Sequence, residues 1–214
     1  MTARRAPAPV PFVLEFLARA YPKARILLDY RTPFELLVAI VLAAQCTDER
    51  VNRVTPSLFR AYPDPQALAA APKEAVEEIV RPTGFFRNKT KAIRGLSAAI
   101  VERHGGKMPK TLEALTALPG VGRKTAFVLL GACFKATQAL PIDTHVARVS
   151  FRLGLTASKD PDRIERDLAA VVPEAERWNF ATRLGWHGRQ ICVARTPKCP
   201  ECGLLPVCPR NGVV

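Results

Sequence analysis

The chain has 214 residues and carries 32 Lys or Arg against 19 Asp or Glu, a formal net charge of +13. With 48% hydrophobic and 24% charged residues, it is neither a disordered nor a collagen-like sequence, and its length allows one large domain or two small ones with a core that needs no disulfide staples. A charge of this size says nothing about fold but bears on polyanion binding, through steering and counterion release; the alternative is a solvated basic surface.

Residues 1–10 read as a poorly ordered basic tail. Arg4 and Arg5 are followed by Pro7, Pro9 and Pro11, and only Phe12, Val13 and Leu14 precede Glu15, too short an apolar run for a signal peptide. The run Leu36–Ala44 is the longest apolar stretch at nine residues, against the roughly 20 that a bilayer requires. An intracellular, cytoplasmic protein is therefore expected.

Helix signals are dense and strand signals scarce, so the expected class is all-α. Thr32-Pro33-Phe34-Glu35 has the form of a capping box with Pro at the first helical position, and Leu36, Leu37, Ile40, Val41 and Ala44 behind it predict a buried helix. Asp64-Pro65 is a second N-cap pair. Val76, Ile79 and Val80 share a side of a helix that stops before Pro82. A helix from Asn88 carries Ile93, Leu96 and Ile100 and ends at Gly105-Gly106. Leu112, Leu115 and Leu118 mark a short helix that halts at Pro119-Gly120, and an apolar helix follows from Arg123 to Lys135. Asp143 caps a helix ending at Gly154. Asp160-Pro161 opens another, with Ile164, Leu168 and Val171 predicted inside. A last helix passes through Phe180, Leu184 and Ile191. Helices this short are marginal alone, so they must pack together. Ala136–Leu140 and Pro141 could divide two helical bodies.

The segment Leu118-Pro119-Gly120-Val121-Gly122-Arg123-Lys124-Thr125-Ala126 joins two of these helices by a hairpin. Two glycines permit unusual backbone conformations and let a ligand approach the amides at a helix N-terminus, where anions are favoured. A DNA phosphate held there would be bound without reading sequence. A plain helix–helix turn is the alternative; Arg123, Lys124 and the net charge favour the phosphate. Lys124 lies beside Arg123 at the positive end of a helix, which disfavours its ammonium form and favours a nucleophilic amine. Asp143, in Pro141-Ile142-Asp143-Thr144-His145-Val146, is either an N-cap or a carboxylate serving that amine; His145 reads as a structural hydrogen-bonding group.

Six cysteines require an account compatible with a reducing compartment. Cys46 and Cys133 are expected to be buried small hydrophobes. Cys192, Cys199, Cys202 and Cys208 crowd the C-terminus with gaps of six, two and five residues, which points to a metal centre.

With LPGVGRKTA, PIDTHV and Cys-x6-Cys-x2-Cys-x5-Cys on the page, the chain resembles endonuclease III, of the helix-hairpin-helix DNA glycosylases, from about Phe12 to Cys208. The resemblance implies two α-helical domains: a six-helix domain over residues 30–136, and an iron–sulfur domain formed by 1–29 with 137–214. Duplex DNA containing damaged bases or abasic sites would lie across the cleft between them. It implies Lys124 as the Schiff-base nucleophile and Asp143 as the essential carboxylate of a bifunctional N-glycosylase and AP lyase. Such an enzyme removes oxidised pyrimidines in base excision repair. It implies a [4Fe-4S] cluster on the four clustered cysteines; zinc is the alternative, although structural zinc sites usually show two separated Cys-x2-Cys knuckles and only Cys199 and Cys202 form one. Gly120, Val121, Gly122 and Arg123 would hold phosphate, with Thr144 and His145 also at the DNA. Gln45 would enter the gap left by the flipped base, and Phe85 would wedge between base steps beside Arg87, Asn88 and Lys89. The bland readings are a buried helix end for Gln45 and core packing for Phe85, with Phe86 facing a different way. Alternatives of function are a monofunctional adenine-type mismatch glycosylase, which commonly lacks the Lys, and a non-enzymatic, zinc-bound DNA-binding module. A nucleoid-associated monomer is the expected state.

Overall fold

The structure, a computed structural model, describes residues 6–213. Among these residues there are eleven α-helices, three short 3-10 turns and no strand. The helices are α1 (Val10–Ala20), α2 (Pro33–Leu42), α3 (Asp48–Ala61), α4 (Pro65–Ala70), α5 (Lys73–Val80), α6 (Phe86–His104), α7 (Leu112–Thr116), α8 (Arg123–Phe134), α9 (Thr144–Arg152), α10 (Pro161–Val171) and α11 (Arg177–Gln190). None of the described helices is long and apolar enough to cross a membrane.

The chain divides into two compact units, Leu27–Lys135 and a second made of Met1–Ile26 with Ala136–Val214. The Leu27–Lys135 unit contains α2 to α8. Its helices start where local chemistry starts them. Thr32 Oγ accepts from the Glu35 amide at 3.1 Å, and the Glu35 carboxylate reaches back to the Arg31 amide at 2.7 Å, one residue beyond the usual return of a capping box. Asp64 Oδ1 caps α4 through the Ala67 amide at 2.7 Å, and Thr111 caps α7. Leu36, Leu37, Leu58, Leu68, Ile93, Leu96, Ile100, Leu115 and Leu129 are fully buried. α2 is inside as expected except at its end, where Ala44 lies beyond the helix and is exposed.

The other unit is built on α1, α9, α10 and α11, with Val13, Leu17, Leu140, Val149, Leu168, Phe180 and Leu184 at its centre. Here the structure corrects the sequence reading twice. The expected tail at residues 1–10 lies outside the described residues at 1–5. From residue 6 onward the segment is docked: Ala8 is buried and its amide donates to Leu153 O at 2.9 Å, and α1 begins at Val10. On α10, Val171 is 47% exposed while Val172 is buried. The helix exits after Val171, and the extended Val172 turns inward in its place. Cys46 and Cys133 are half-buried rather than buried, and burial pushes the Cys133 thiol up to about 11.

Gly154 ends α9 with φ +75, and a Cβ there would stand 3.1 Å from Pro7 Cα. A left-handed conformation costs a non-glycine residue about 1–3 kcal/mol, and a clash with backbone adds to it. Gly154→Ala is therefore expected to destabilise the protein by about 2 kcal/mol or more and loosen Ala8 from Leu153, measured by chemical denaturation and by exchange of the Ala8 amide.

Candidate functional site

The Leu27–Lys135 unit presents three features. The first is the hairpin between α7 and α8. Leu118 and Val121 are buried, and the Val121 amide donates to Leu118 O at 3.2 Å. Gly120 supplies φ +76. Its hydrogen faces Ala92 of α6, and Pro119 lies against Gly95 one turn further along. Val121 is thus the buried root of the hairpin, with both its side chain and its N–H engaged inside the unit, and it does not offer itself to a ligand as expected. Gly122 takes the N-cap position of α8 with no side-chain cap. The positive end of this twelve-residue helix is therefore left for an external anion. Arg123 stacks its guanidinium 5.3 Å from the Phe127 ring centroid. Lys124 is exposed in the first turn of α8.

The second feature is the turn before α6. That helix starts at Phe86, two residues earlier than expected, from Phe85 in a left-handed conformation (φ 48, ψ 30). Phe85 is 63% exposed. A bulky residue at positive φ is a genuine outlier, which the fold holds at a cost, and here it projects an aromatic ring into solvent. Phe86 is half-buried, with the guanidinium groups of Arg81 and Arg87 at 5.4 and 5.5 Å from its ring centroid. The two phenylalanines do face different ways. Arg87 and Asn88 are exposed.

Lys89 departs from its expected place on a DNA surface. It is 5% exposed and donates from Nζ to Thr83 O at 2.7 Å, and burial lowers its pKa. The ammonium is a strut that closes the Arg81–Thr83 turn beside Phe85, and its burial keeps it from a phosphate at the surface.

The third feature is Gln45, exposed and at φ 53 just beyond α2. It is not a buried helix end. Only four non-glycine residues among those described have positive φ: Gln45, Phe85, Lys135 and Arg210. Two of the four are candidates picked for contact with a base stack.

In the other unit, Asp143 performs two tasks with two oxygens. Oδ1 accepts from the His145 and Val146 amides at 2.9 and 2.7 Å, capping α9. Oδ2 is left with a loose partner, Arg189 Nη2 at 3.9 Å. Thr144 is exposed and His145 half-buried. Arg148 donates to His145 Nδ1 at 3.2 Å, since a guanidinium can only donate. Burial lowers the His145 pKa, so the neutral ring carries its proton on Nε2. A close approach of α9 and α11 fixes this ring: a Cβ on Gly188 would come within 2.9 Å of His145 Cβ.

Cys192, Cys199, Cys202 and Cys208 line one cleft of about 400 Å³, part of it open to solvent, together with His187, Leu204 and Arg210. No three His, Cys, Asp or Glu side chains among the described residues gather at a point where one ion could sit. Burial raises the thiol pKa of Cys202 and of Cys208, and the neighbouring thiols add to it.

Residues that the sequence did not single out hold this loop. Arg152, 7% exposed, donates to Cys192 O, Val193 O and Ala194 O at 3.3, 2.7 and 2.7 Å, and to Cys192 Sγ at 3.4 Å. Arg148 adds Nε and Nη2 bonds to Cys192 O. His187 is fully buried, its pKa pushed down to about 4 by burial. Tyr21 OH lies 2.9 Å from its Nδ1 and Cys202 Sγ lies 3.6 Å from its Nε2. A neutral ring accepting from the tyrosine at Nδ1 directs its Nε2–H at the sulfur. The loop also sits on α1, since a Cβ at Gly203 would fall 2.4 Å from the Phe16 ring.

Residues 38–174 match the family of HhH-GPD superfamily base excision DNA repair proteins. Similarity to endonuclease III of Synechocystis sp. reaches 51% identity, over 92% of this chain and 90% of that relative. The chain belongs to the endonuclease III family of this superfamily. Endonuclease III of Bacillus subtilis is 43% identical over 93% of this chain and 91% of its own. A solved trapped endonuclease III–DNA covalent intermediate is 40% identical and superposes with a TM-score of 0.88, covering 93% of both chains.

Arg152 is the residue on which the cysteine loop depends most. Arg152→Met would leave Val193 O and Ala194 O without their donor, while Cys192 O keeps Arg148, and each unsatisfied group costs about 1–3 kcal/mol. The expected result is a loss of about 3 kcal/mol or more in a denaturant melt, with faster amide exchange confined to residues 191–210.

Proposed function

We propose that Lys124 and Asp143 carry the chemistry of a base excision repair enzyme, a bifunctional DNA N-glycosylase and AP lyase that removes oxidised pyrimidines from duplex DNA. The observation that carries this reading is that one unit exposes Lys124 on an uncapped α8 N-terminus, while in the other Asp143 keeps one carboxylate oxygen out of its capping bonds. The named relatives, among them one captured as a covalent DNA intermediate, support it.

The duplex phosphate binds the α8 N-terminus at Gly120, Gly122 and Arg123, which positions the strand without reading it. Phe85 enters the stack and Gln45 fills the space the damaged nucleotide leaves; both are already extended from strained backbone, so little ordering is needed on binding. Arg87, Asn88, Thr144 and His145 meet the flanking backbone, with His145 offering its Nε2–H. The Lys124 amine attacks C1′ of the flipped nucleotide. A C–N bond to the lysine forms as the glycosidic bond breaks, and the base leaves with the bonding pair and takes up a proton. Asp143, through Oδ2, stabilises the positive charge that grows on the sugar. Ring opening gives the imine, whose electron-withdrawing nitrogen acidifies C2′. Loss of that proton expels the 3′ phosphate oxygen from C3′ and nicks the strand. A monofunctional glycosylase would have no use for an amine at position 124.

Cys192, Cys199, Cys202 and Cys208 would hold a [4Fe-4S] cluster. Four thiols spread around one cleft suit a group with several metal corners. Arg152 and His187 give the N–H donors that thiolate sulfurs accept. The cluster would order the loop; no step of base removal passes through it.

Borohydride reduction during turnover is expected to give a covalent protein–DNA adduct that Lys124→Ala abolishes; an adduct that persists in the variant sinks the assignment. Asn caps a helix about as well as Asp. Asp143→Asn should therefore keep the melting midpoint and lose roughly 10²–10⁴ in single-turnover base excision. Cys202→Ser is expected to lower iron and sulfide content and the visible sulfur-to-iron absorbance of the purified protein.

A further inference from the structure

From Arg87, already placed beside the wedge, α6 continues in a stripe of cations that the features above leave unused. Arg87, Lys91 and Arg94 are spaced four and three residues apart, so they stand in line along one face of the helix. With Lys73 from the start of α5 they line an open cleft of about 1000 Å³, floored by Gly95 and Ala98. No acidic side chain lines it. Lys73 is partly neutralised by Glu77, 3.6 Å from its ammonium. Lys91 is exposed, and no ion pair is recorded for it or for Arg94 among the described residues. The Nε of Arg94 is shut off from solvent and has no hydrogen-bond partner. That atom is out of an anion's reach, so what the cleft offers an incoming anion is the exposed Arg87 and Lys91, with the rest of the Arg94 guanidinium in its lining.

We propose that this cleft is a second phosphate-binding site, which takes the sugar–phosphate backbone of the duplex beyond the wedge. The proposal rests on the DNA-repair reading above and extends the footprint of that same protein. Phe85 and Arg87 open α6, so a strand leaving the wedge next meets the stripe. The distance from Arg87 to Arg94 along the helix is about 10 Å at 1.5 Å per residue. One strand of duplex presents a phosphate about every 3.4 Å of its axis, so the stripe spans about three phosphates. No aromatic side chain lines the cleft, so a base has nothing there to stack on. The contact is therefore blind to sequence. It would tighten binding on whichever side of the lesion the wedge faces.

The test uses the intact protein and a duplex with an abasic-site analogue, in which the flank on one side or the other is shortened from about fifteen base pairs to about three. On the long duplex, Lys91→Gln should lower the slope of log K against log salt by about 0.9 and Lys91→Gln/Arg94→Gln by about 1.8. Over a fourfold rise in salt the double variant would thus lose about twelvefold less affinity than the parent. Shortening the flank on one particular side should erase the difference between parent and variants. Lys91 is exposed, so its single variant reads the effect without a folding defect. An unchanged slope in both variants overturns the proposal. So does a parent protein in which a free nucleoside triphosphate competes at the cleft while flank length has no effect, which would make it a small-phosphate site. Borohydride trapping on the short duplex is run alongside. Its failure in the parent counts against the lyase assignment, whereas the salt slope reports on the cleft regardless of the chemistry.

Discussion

The functional parts of the Leu27–Lys135 unit are all registered to one rigid bar. α6 runs for nineteen residues, about 28 Å at helical rise. Its first turn projects Phe85; its Ala92 and Gly95 receive the hairpin at Gly120 and Pro119; its Arg103 donates to Ala117 O at 3.1 Å, just below that hairpin. The exposed Phe85 and the hairpin are thus set a fixed number of helical turns apart. A packed helix does not stretch, so the spacing between these two features is built into the chain. The small residues at positions 92 and 95 are what permit the hairpin to sit this close.

The other unit solves a different problem, that of holding a cysteine-rich loop with little secondary structure of its own. It does so with one buried and one half-buried cation. Arg148 and Arg152 lie four residues apart on α9 and direct their donors at the carbonyls of residues 188 and 192–194. Such guanidinium–carbonyl bonds are stronger than neutral ones, and they leave a net positive charge beside four sulfurs that would ionise on binding metal. The formal charge of +13 therefore divides. Part of it is committed inside the protein, at Lys89, Arg148 and Arg152, and only the remainder is offered to a polyanion outside.

How far the sequence reads depends on how local the cause is. Helices announced by Thr32, Asp64, Asp143 and Asp160 are where their caps place them, since a capping bond spans two or three residues. α1 was missed because its start at Pro9 has no side-chain cap and its prolines resemble a tail. α6 begins early because a left-handed Phe85, and not a polar cap, turns the chain. Val172 replaces Val171 inside because α10 ends there, which periodicity alone does not show. The candidate residues with a motif were legible, and those acting over distance were not. Nothing near Lys89 says that its ammonium turns inward to Thr83. Nothing near Arg152 says that it will grip carbonyls forty residues on. A basic residue's neighbours in sequence say what it is next to, and only the fold says which acceptors it meets.

The docking of Ala8 and α1 against α9 and α11 has a consequence for how the protein is made. α1 leaves the ribosome roughly 120 residues before the helices it must cover, a delay of about 6–25 s at ordinary elongation rates. The Leu27–Lys135 stretch is contiguous and can close on itself during that interval. α1, with its apolar face of Val13, Leu17 and Tyr21, has to wait in the open. The cysteine loop, seated on Phe16 through Gly203, comes last of all. Assembly is thus ordered by translation: the Leu27–Lys135 unit can be complete on the nascent chain before the segment that carries the four clustered cysteines is made.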